Sequence, residues 1–325
     1  MKLTSVPLAI VLLQFCGALV AAAETVSLTD ATTLEFASVN AGKEALLTPD
    51  RYTHALSRFD LESRLRTNSD VTADDLMGFA AEQVVAWSAE DLAKMKPMIA
   101  SVAQRLAGYR IALPPTILLI QTTGKEEGDA AYTRRHAVIL PRRYVGFPVA
   151  RLEPIFIHEL FHVLSSHNEA LRNSLYEIIG FKPCPEIELP EPLADRKITN
   201  PDGPSLDYYI ALDVDGRHRL AVCLLHAPER FDPLQNRTFF QYLKFHLLAV
   251  EHEGDDWRLV QVSGEPLLLD PAQTPSFHQQ IGSNTKYIIH PDEVLADNFM
   301  HLMMKKPSLP NPEIVEKMAK RLNQP

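Results

Sequence analysis

The amino-acid sequence predicts an α+β protein. Helical periodicity, with apolar residues three and four apart, runs through 72–106, 154–179 and 291–305, whereas short apolar runs and hairpin signals occupy 116–120, 132–140 and 208–262. Composition agrees, because 46% hydrophobic and 22% charged residues over 325 positions are enough to build a real core.

Residues 1–23 read as a secretory leader. Lys2 gives the positive start, Leu8 to Val20 is mostly apolar, and Ala21-Ala22-Ala23 meets the small-residue cleavage rule before Glu24. Gln14 interrupts the apolar run, which is short for a membrane span of about 20 residues. The reading implies a secreted or periplasmic chain starting near Glu24, with no membrane span once the leader is removed. Its two remaining cysteines, Cys184 and Cys223, would lie in a compartment that permits one bridge. Lys+Arg 32 against Asp+Glu 41 gives a net charge of −9, which argues against a nucleic-acid partner.

Residues 24–110 read as an N-terminal, mainly helical region, although 24–70 carry little pattern and are candidates to cover a cleft. Two capping boxes, Thr72-x-x-Asp75 and Ser88-x-x-Asp91, open segments whose apolar residues include Leu92, Met95, Ile99, Val102 and Leu106. Pro114-Pro115 ends this region, and Thr116 to Ile120 is short and apolar enough for a buried strand. A polar loop over Lys125 to Asp129 leads to a second strand over Tyr132 to Leu140. Pro154 suits the first turn of the apolar helix that follows, and a further helix is expected over Glu169 to Ile179.

The six prolines from Pro183 to Pro204 predict an irregular crossing loop, in which Asn200-Pro201-Asp202-Gly203-Pro204 reads as turns by default, with the rim of a substrate cleft as the remoter alternative. Tyr208 to Val214 and Leu220 to Leu225 flank Asp215-Gly216 as a hairpin, and Phe245 to Val250 with Trp257 to Val262 suggest another. Helices are expected from Pro291 to about Lys305 and near Glu313 to Leu322.

His158-Glu159-Leu160-Phe161-His162 fits the pattern H-E-x-x-H. Residues i and i+4 share a helix face, so two neutral imidazoles can bind one zinc ion while the adjacent carboxylate leans toward a water on the metal. The other helix members are apolar, so the helix must be largely buried, and buried imidazoles and carboxylates need partners. A third ligand must come from elsewhere. The extended pattern H-E-x-x-H-x-x-G-x-x-H fails, since Ser165 replaces glycine, Asn168 replaces histidine and His167 falls one residue early. Glu177 can come from the next helix but has Phe181 four residues on. Glu293, in His290-Pro291-Asp292-Glu293-Val294-Leu295-Ala296-Asp297, has Asp297 one turn away.

H-E-x-x-H followed by E-x-x-x-D resembles the gluzincin group of zinc metallopeptidases, of which thermolysin is an example. The resemblance implies that His158, His162 and Glu293 are the zinc ligands, Glu159 is the general base, and Asp297 orients a histidine. It also implies a zincin-like fold over 111–325, with a small sheet packed on the active-site helix and a β-rich insertion at about 183–275 before the third-ligand helix. The strand at 132–140 would then bind peptide by strand addition. Tyr287, His290 and His278 are the candidate oxyanion donors. One departure is the 130 residues between His162 and Glu293, far more than in thermolysin.

The function expected is a secreted zinc-dependent hydrolase, a metallopeptidase whose substrate is a peptide or another amide. The alternative is a secreted binding or assembly protein whose zinc site is structural or catalytically inactive.

Overall fold

The computed structural model describes residues 24–324, so the leader expected at 1–23 lies outside the described residues. Three helices follow a first hairpin of β1 (Glu24–Ser27) and β2 (Thr33–Phe36): α1 (Val39–Leu47), α2 (Arg51–His54) and α3 (Arg58–Leu65). The weakly patterned stretch is therefore ordered, with side-chain oxygens of Ser38, Asp50 and Ser57 capping successive helix starts. Next come α4 (Ala73–Glu82) and α5 (Ala89–Leu106), each opened by the capping box the sequence predicts, at Thr72/Asp75 and Ser88/Asp91.

The strand at 116 extends further than expected, as β3 (Thr116–Thr122). The strand expected over 132–140 is instead two, β4 (Tyr132–Arg134) and β5 (Ala137–Pro141), because the chain reverses at Arg135, whose φ of 53° is left-handed. These strands form one five-stranded sheet in the order β1-β2-β3-β5-β4. β2, β3 and β5 run parallel, and β1 and β4 are antiparallel edges. The sheet thus combines strands from both sides of residue 110.

After α6 (Arg142–Val145), helix α7 (Val149–His167) begins five residues before Pro154, which sits inside it rather than at its start. Pro148 precedes the first turn, and the missing N–H of Pro154 leaves one helical bond unmade. Leu152, Phe156, Ile157, Leu160, Phe161, Val163 and Leu164 are buried around α7 because it is enclosed by the sheet on one side and by other helices on the other. α8 (Glu169–Tyr176) follows, and its expected end at Ile179 tightens into a 3₁₀ turn, Glu177–Ile179.

The second sheet is antiparallel. β6 (Phe181–Pro183) leads into the crossing loop, which is irregular as predicted. It is followed by β7 (Tyr208–Val214), β8 (Arg217–His226), β9 (Lys244–Glu253) and β10 (Asp256–Leu259) in the order β10-β9-β8-β7-β6. Asp215 and Gly216, at φ 52° and 72°, make the two-residue turn of the β7–β8 hairpin. The stretch expected to continue to Val262 breaks after Leu259. β11 (Gln261–Val262) pairs instead with β12 (Glu265–Pro266), and β13 (Leu268–Leu269) returns to β9.

Cys184 and Cys223 do not form the bridge the compartment would allow. Cys223 faces the main core, whereas Cys184 packs on the opposite face of the sheet with Val222 and Leu224, so their sulfurs are separated by the strands.

The C-terminal part comprises α9 (Pro275–Ile281), α10 (Pro291–Met303) and α11 (Pro312–Leu322). α10 packs along α7, and Val294, Leu295 and Phe299 join Leu160 and Phe161 in a core that also takes in Leu119 and Val138 of the first sheet and Ile210 of the second. The fold is mixed α/β with several small sheets. α7 lies against β4 and β5 of the first sheet and against α10, while α8 and α9 make the contacts to β6 and β7 of the second. No helix among the described residues is long and apolar enough to cross a membrane.

Candidate metal centre

α7 presents His158 and His162 on one face, one turn apart, with ring centroids 4.8 Å apart. α10 faces them with its first two turns. Pro291 is pre-set for helix entry, and the His290 ring accepts a hydrogen bond from Asp292 N at 3.1 Å, so His290 is a cap. Asp292 and Glu293 occupy the first turn, where the helix dipole favours negative charge.

The contacts between these helices orient both imidazoles. Nδ1 of His158 donates to Asp297 Oδ1 at 2.9 Å, and Nδ1 of His162 donates to Asp292 Oδ2 at 2.6 Å. Each ring therefore turns Nε2 toward the same carboxylate oxygen, Glu293 Oε2, at 3.0 Å from His158 and 3.5 Å from His162. At that distance Nε2 of His162 makes no hydrogen bond, although it is buried. The other oxygen of Glu293 accepts from Asn200 Nδ2 at 2.6 Å. Asp292 also accepts from Ser165 Oγ and Tyr176 OH, at 2.5 and 2.6 Å, and Asp297 accepts from Thr285.

The potential ligand atoms of His158, His162 and Glu293 all lie within 4.8 Å of one another. Two imidazole nitrogens and one carboxylate oxygen are the donor set that suits a zinc-like ion, and the unpartnered Nε2 of His162 needs such a partner. The residues present therefore fit a divalent cation.

Electrostatics point the same way. Burial opposes charge on His158, but its hydrogen bonds to Asp297 and Glu293 prevail and push its pKa up to about 10. Burial also works against a charged His162, yet the nearby negative charge of Asp202 and Glu293 raises it well above the ordinary value. Burial would raise Glu293, but the two imidazoles hold it well below the usual carboxylate range. The carboxylates around the two rings thus favour positive charge at the centre.

Glu159 is buried beside this set. Burial raises its pKa against the pull of the two imidazoles, and Thr133 Oγ1 donates to its Oε2 at 3.1 Å. Asp202, from the crossing loop, is the other carboxylate on this side. It accepts from the Thr133 N–H of edge strand β4 at 2.7 Å, and burial together with Glu159 and Glu293 raises its pKa well above normal.

The remaining candidates separate clearly. Tyr287 stacks on His158 with ring centroids 6.1 Å apart and remains 44% exposed, while the Glu293 charge and burial raise its hydroxyl pKa well above the ordinary value. His290 caps α10. His278 is elsewhere, on α9, donating to the Pro271 carbonyl at 3.0 Å. Of the competing third ligands, Glu177 is surface-exposed and 3.9 Å from Arg321, and the His167 ring packs edge-on against His136.

Sequence reasoning missed Asp292, Asn200, Asp202 and Thr133. For Asp292 a signal existed, since it is adjacent to Glu293 in the acidic first turn of a capped helix. For Asn200 and Asp202 the sequence offers no more than turns with a remote cleft-rim role, and for Thr133 only a strand; all three reach the centre through long-range folding, and Pro201 to Pro204 do line the cleft beside His162. A cleft of about 560 Å³ opens beside His162, lined by residues of the 48–52 turn, the 133–136 turn and the crossing loop, so the N-terminal stretch does border a cleft.

No family model matches this chain, and neither a curated protein nor a solved structure matches it.

Proposed function

We propose that the protein is a zinc-dependent hydrolase of the metallopeptidase kind, secreted or periplasmic, acting on a peptide or another amide, with the α7–α10 pair and edge strand β4 arranged in a zincin-like manner. The observation that carries this reading is the convergence of two oriented imidazoles and Glu293 on one point with Glu159 alongside. His158, His162 and Glu293 would hold the ion, and Asp297 and Asp292 would fix the two rings. Zinc held there supplies Lewis acidity and makes water a better nucleophile near neutral pH.

The chain's own groups account for the proton movements. Glu159 uses its free Oε1 to take a proton from water and pass it to the leaving nitrogen, while Thr133 holds Oε2. A carboxyl whose pKa is raised by burial suits that exchange. Tyr287, kept protonated by the negative charge around it, is a hydrogen-bond donor for the oxyanion. The cleft next to His162 would receive the substrate chain.

The test is hydrolysis of a peptide mixture by wild type and Glu159→Gln, each loaded with one zinc. The variant should retain zinc and lose about 10²–10⁴ in rate. Metal-dependent hydrolysis that persists in Glu159→Gln would remove this mechanism. The second reading, a binding or assembly protein with a structural or inactive site, is favoured by one feature, the position of Asp202.

A further inference from the structure

Asp202 belongs to a segment that has no reason of its own to approach the α7–α10 pair, since it lies in the proline-rich crossing between the two sheets. Its approach is built in. Thr199 donates its N–H to both oxygens of Asp60, at 3.0 and 3.2 Å, and its carbonyl accepts from Arg64 at 3.0 Å. Asn200 is fixed to Glu293. Gly203 lies so close to His290 that a β-carbon there would stand 2.4 Å from the ring. Between these points Asp202 is directed at the centre.

The potential ligand atoms of Glu159, His162 and Asp202 lie within 4.8 Å of one another, the same limit that defines the His158, His162 and Glu293 set. The two sets share His162, whose Nδ1 is committed to Asp292, so the shared atom is Nε2, buried and without a hydrogen bond. An ion bound by that nitrogen meets both sets. Each carboxylate gives one oxygen to Thr133, Glu159 its Oε2 to the hydroxyl and Asp202 its Oδ1 to the N–H; Oε1 of Glu159 is the proton carrier of the proposed reaction, so Oδ2 of Asp202 is the oxygen left for the ion.

We propose that Asp202 is a fourth protein ligand of the metal centre, supplied by the crossing loop; this rests on the reading of His158, His162 and Glu293 as a metal site. Four protein donors close a zinc site, whereas three leave a position for water or substrate. Asp202 therefore fills, at rest, the position that turnover needs, and it also takes the Thr133 N–H that an added substrate strand would use. Substrate must displace it from both.

The experiment uses the purified chain and two probes, zinc and cobalt(II). Zinc affinity is measured by competition with a chromophoric chelator for wild type, Asp202→Asn and Asp195→Asn, the last being a carboxylate on the surface of the same loop. Asparagine at 202 keeps an acceptor for the Thr133 N–H while withdrawing the charge. Asp202→Asn should lose at least about tenfold in affinity, and the visible absorption of its cobalt(II) form should change, while Asp195→Asn matches wild type. Asp202→Ala is read in the same two ways should the asparagine variant fold poorly. Unchanged affinity and absorption at position 202, with wild type binding zinc normally, would overturn the proposal alone. A wild type that takes up neither ion would overturn the metal centre itself.

Discussion

The 2.6 Å contact between His162 Nδ1 and Asp292 Oδ2 determines which ring nitrogen faces the centre. It joins α7 to the first turn of α10, and Ser165 and Tyr176 hold the same carboxylate from behind. His158 has the equivalent support from Asp297. Each imidazole is therefore oriented by its own carboxylate.

Removing the charge of Asp292 should release the His162 ring without touching a ligand. Asp292→Asn is expected to weaken zinc binding by about 10- to 100-fold, as loss of such an orienting partner commonly does. Titration against a chelator of known affinity checks this, with thermal unfolding run beside it.

A buried ion network steadies the loop that carries Asn200 and Asp202. Arg64 Nη1 is 2.7 Å from Asp60 and its Nε is 2.8 Å from Glu127, with all three side chains almost wholly buried. Arg64→Met leaves two buried carboxylates unpaired and should cost about 3–5 kcal/mol. Urea unfolding measures the loss.

Glu126 gives the stability a pH dependence unrelated to the metal. Burial raises its carboxyl from 4.5 to about 7, with Glu127 and Asp129 adding to the shift and a hydrogen bond from Thr122 opposing it. Between those pH values the folded chain keeps a proton that the unfolded chain has released, so stability falls as pH rises from 4.5 through about 7. The expected loss is about 3 kcal/mol. Glu126→Gln should make the slope shallower by that amount, and the difference between wild type and variant in urea midpoints at pH 5 and pH 8 decides it.

Much of the architecture could be read from local signals. The capping boxes at Thr72 and Ser88, the Asp215-Gly216 turn and the helix after Pro291 each declare themselves within a few residues. Misreadings came where tertiary context overrides local preference. Pro154 is tolerated inside α7 because packing on all sides holds the helix together, and the left-handed Arg135 splits a stretch whose apolar pattern alone looks continuous. At the candidate site, His158, Glu159, His162, Glu293 and Asp297 were accessible through helical spacing. Thr133, Asn200 and Asp202 were not, because each reaches the centre from a segment whose sequence describes only a strand or a turn.

The most direct test of the account is elemental analysis after dialysis, counting zinc per chain in wild type and in Glu293→Ala. Wild type should hold one zinc and the variant much less, because Glu293 Oε2 is the oxygen toward which both imidazoles turn. Equal zinc in the two proteins would remove Glu293 from the centre, and zinc in neither would contradict the metal site altogether.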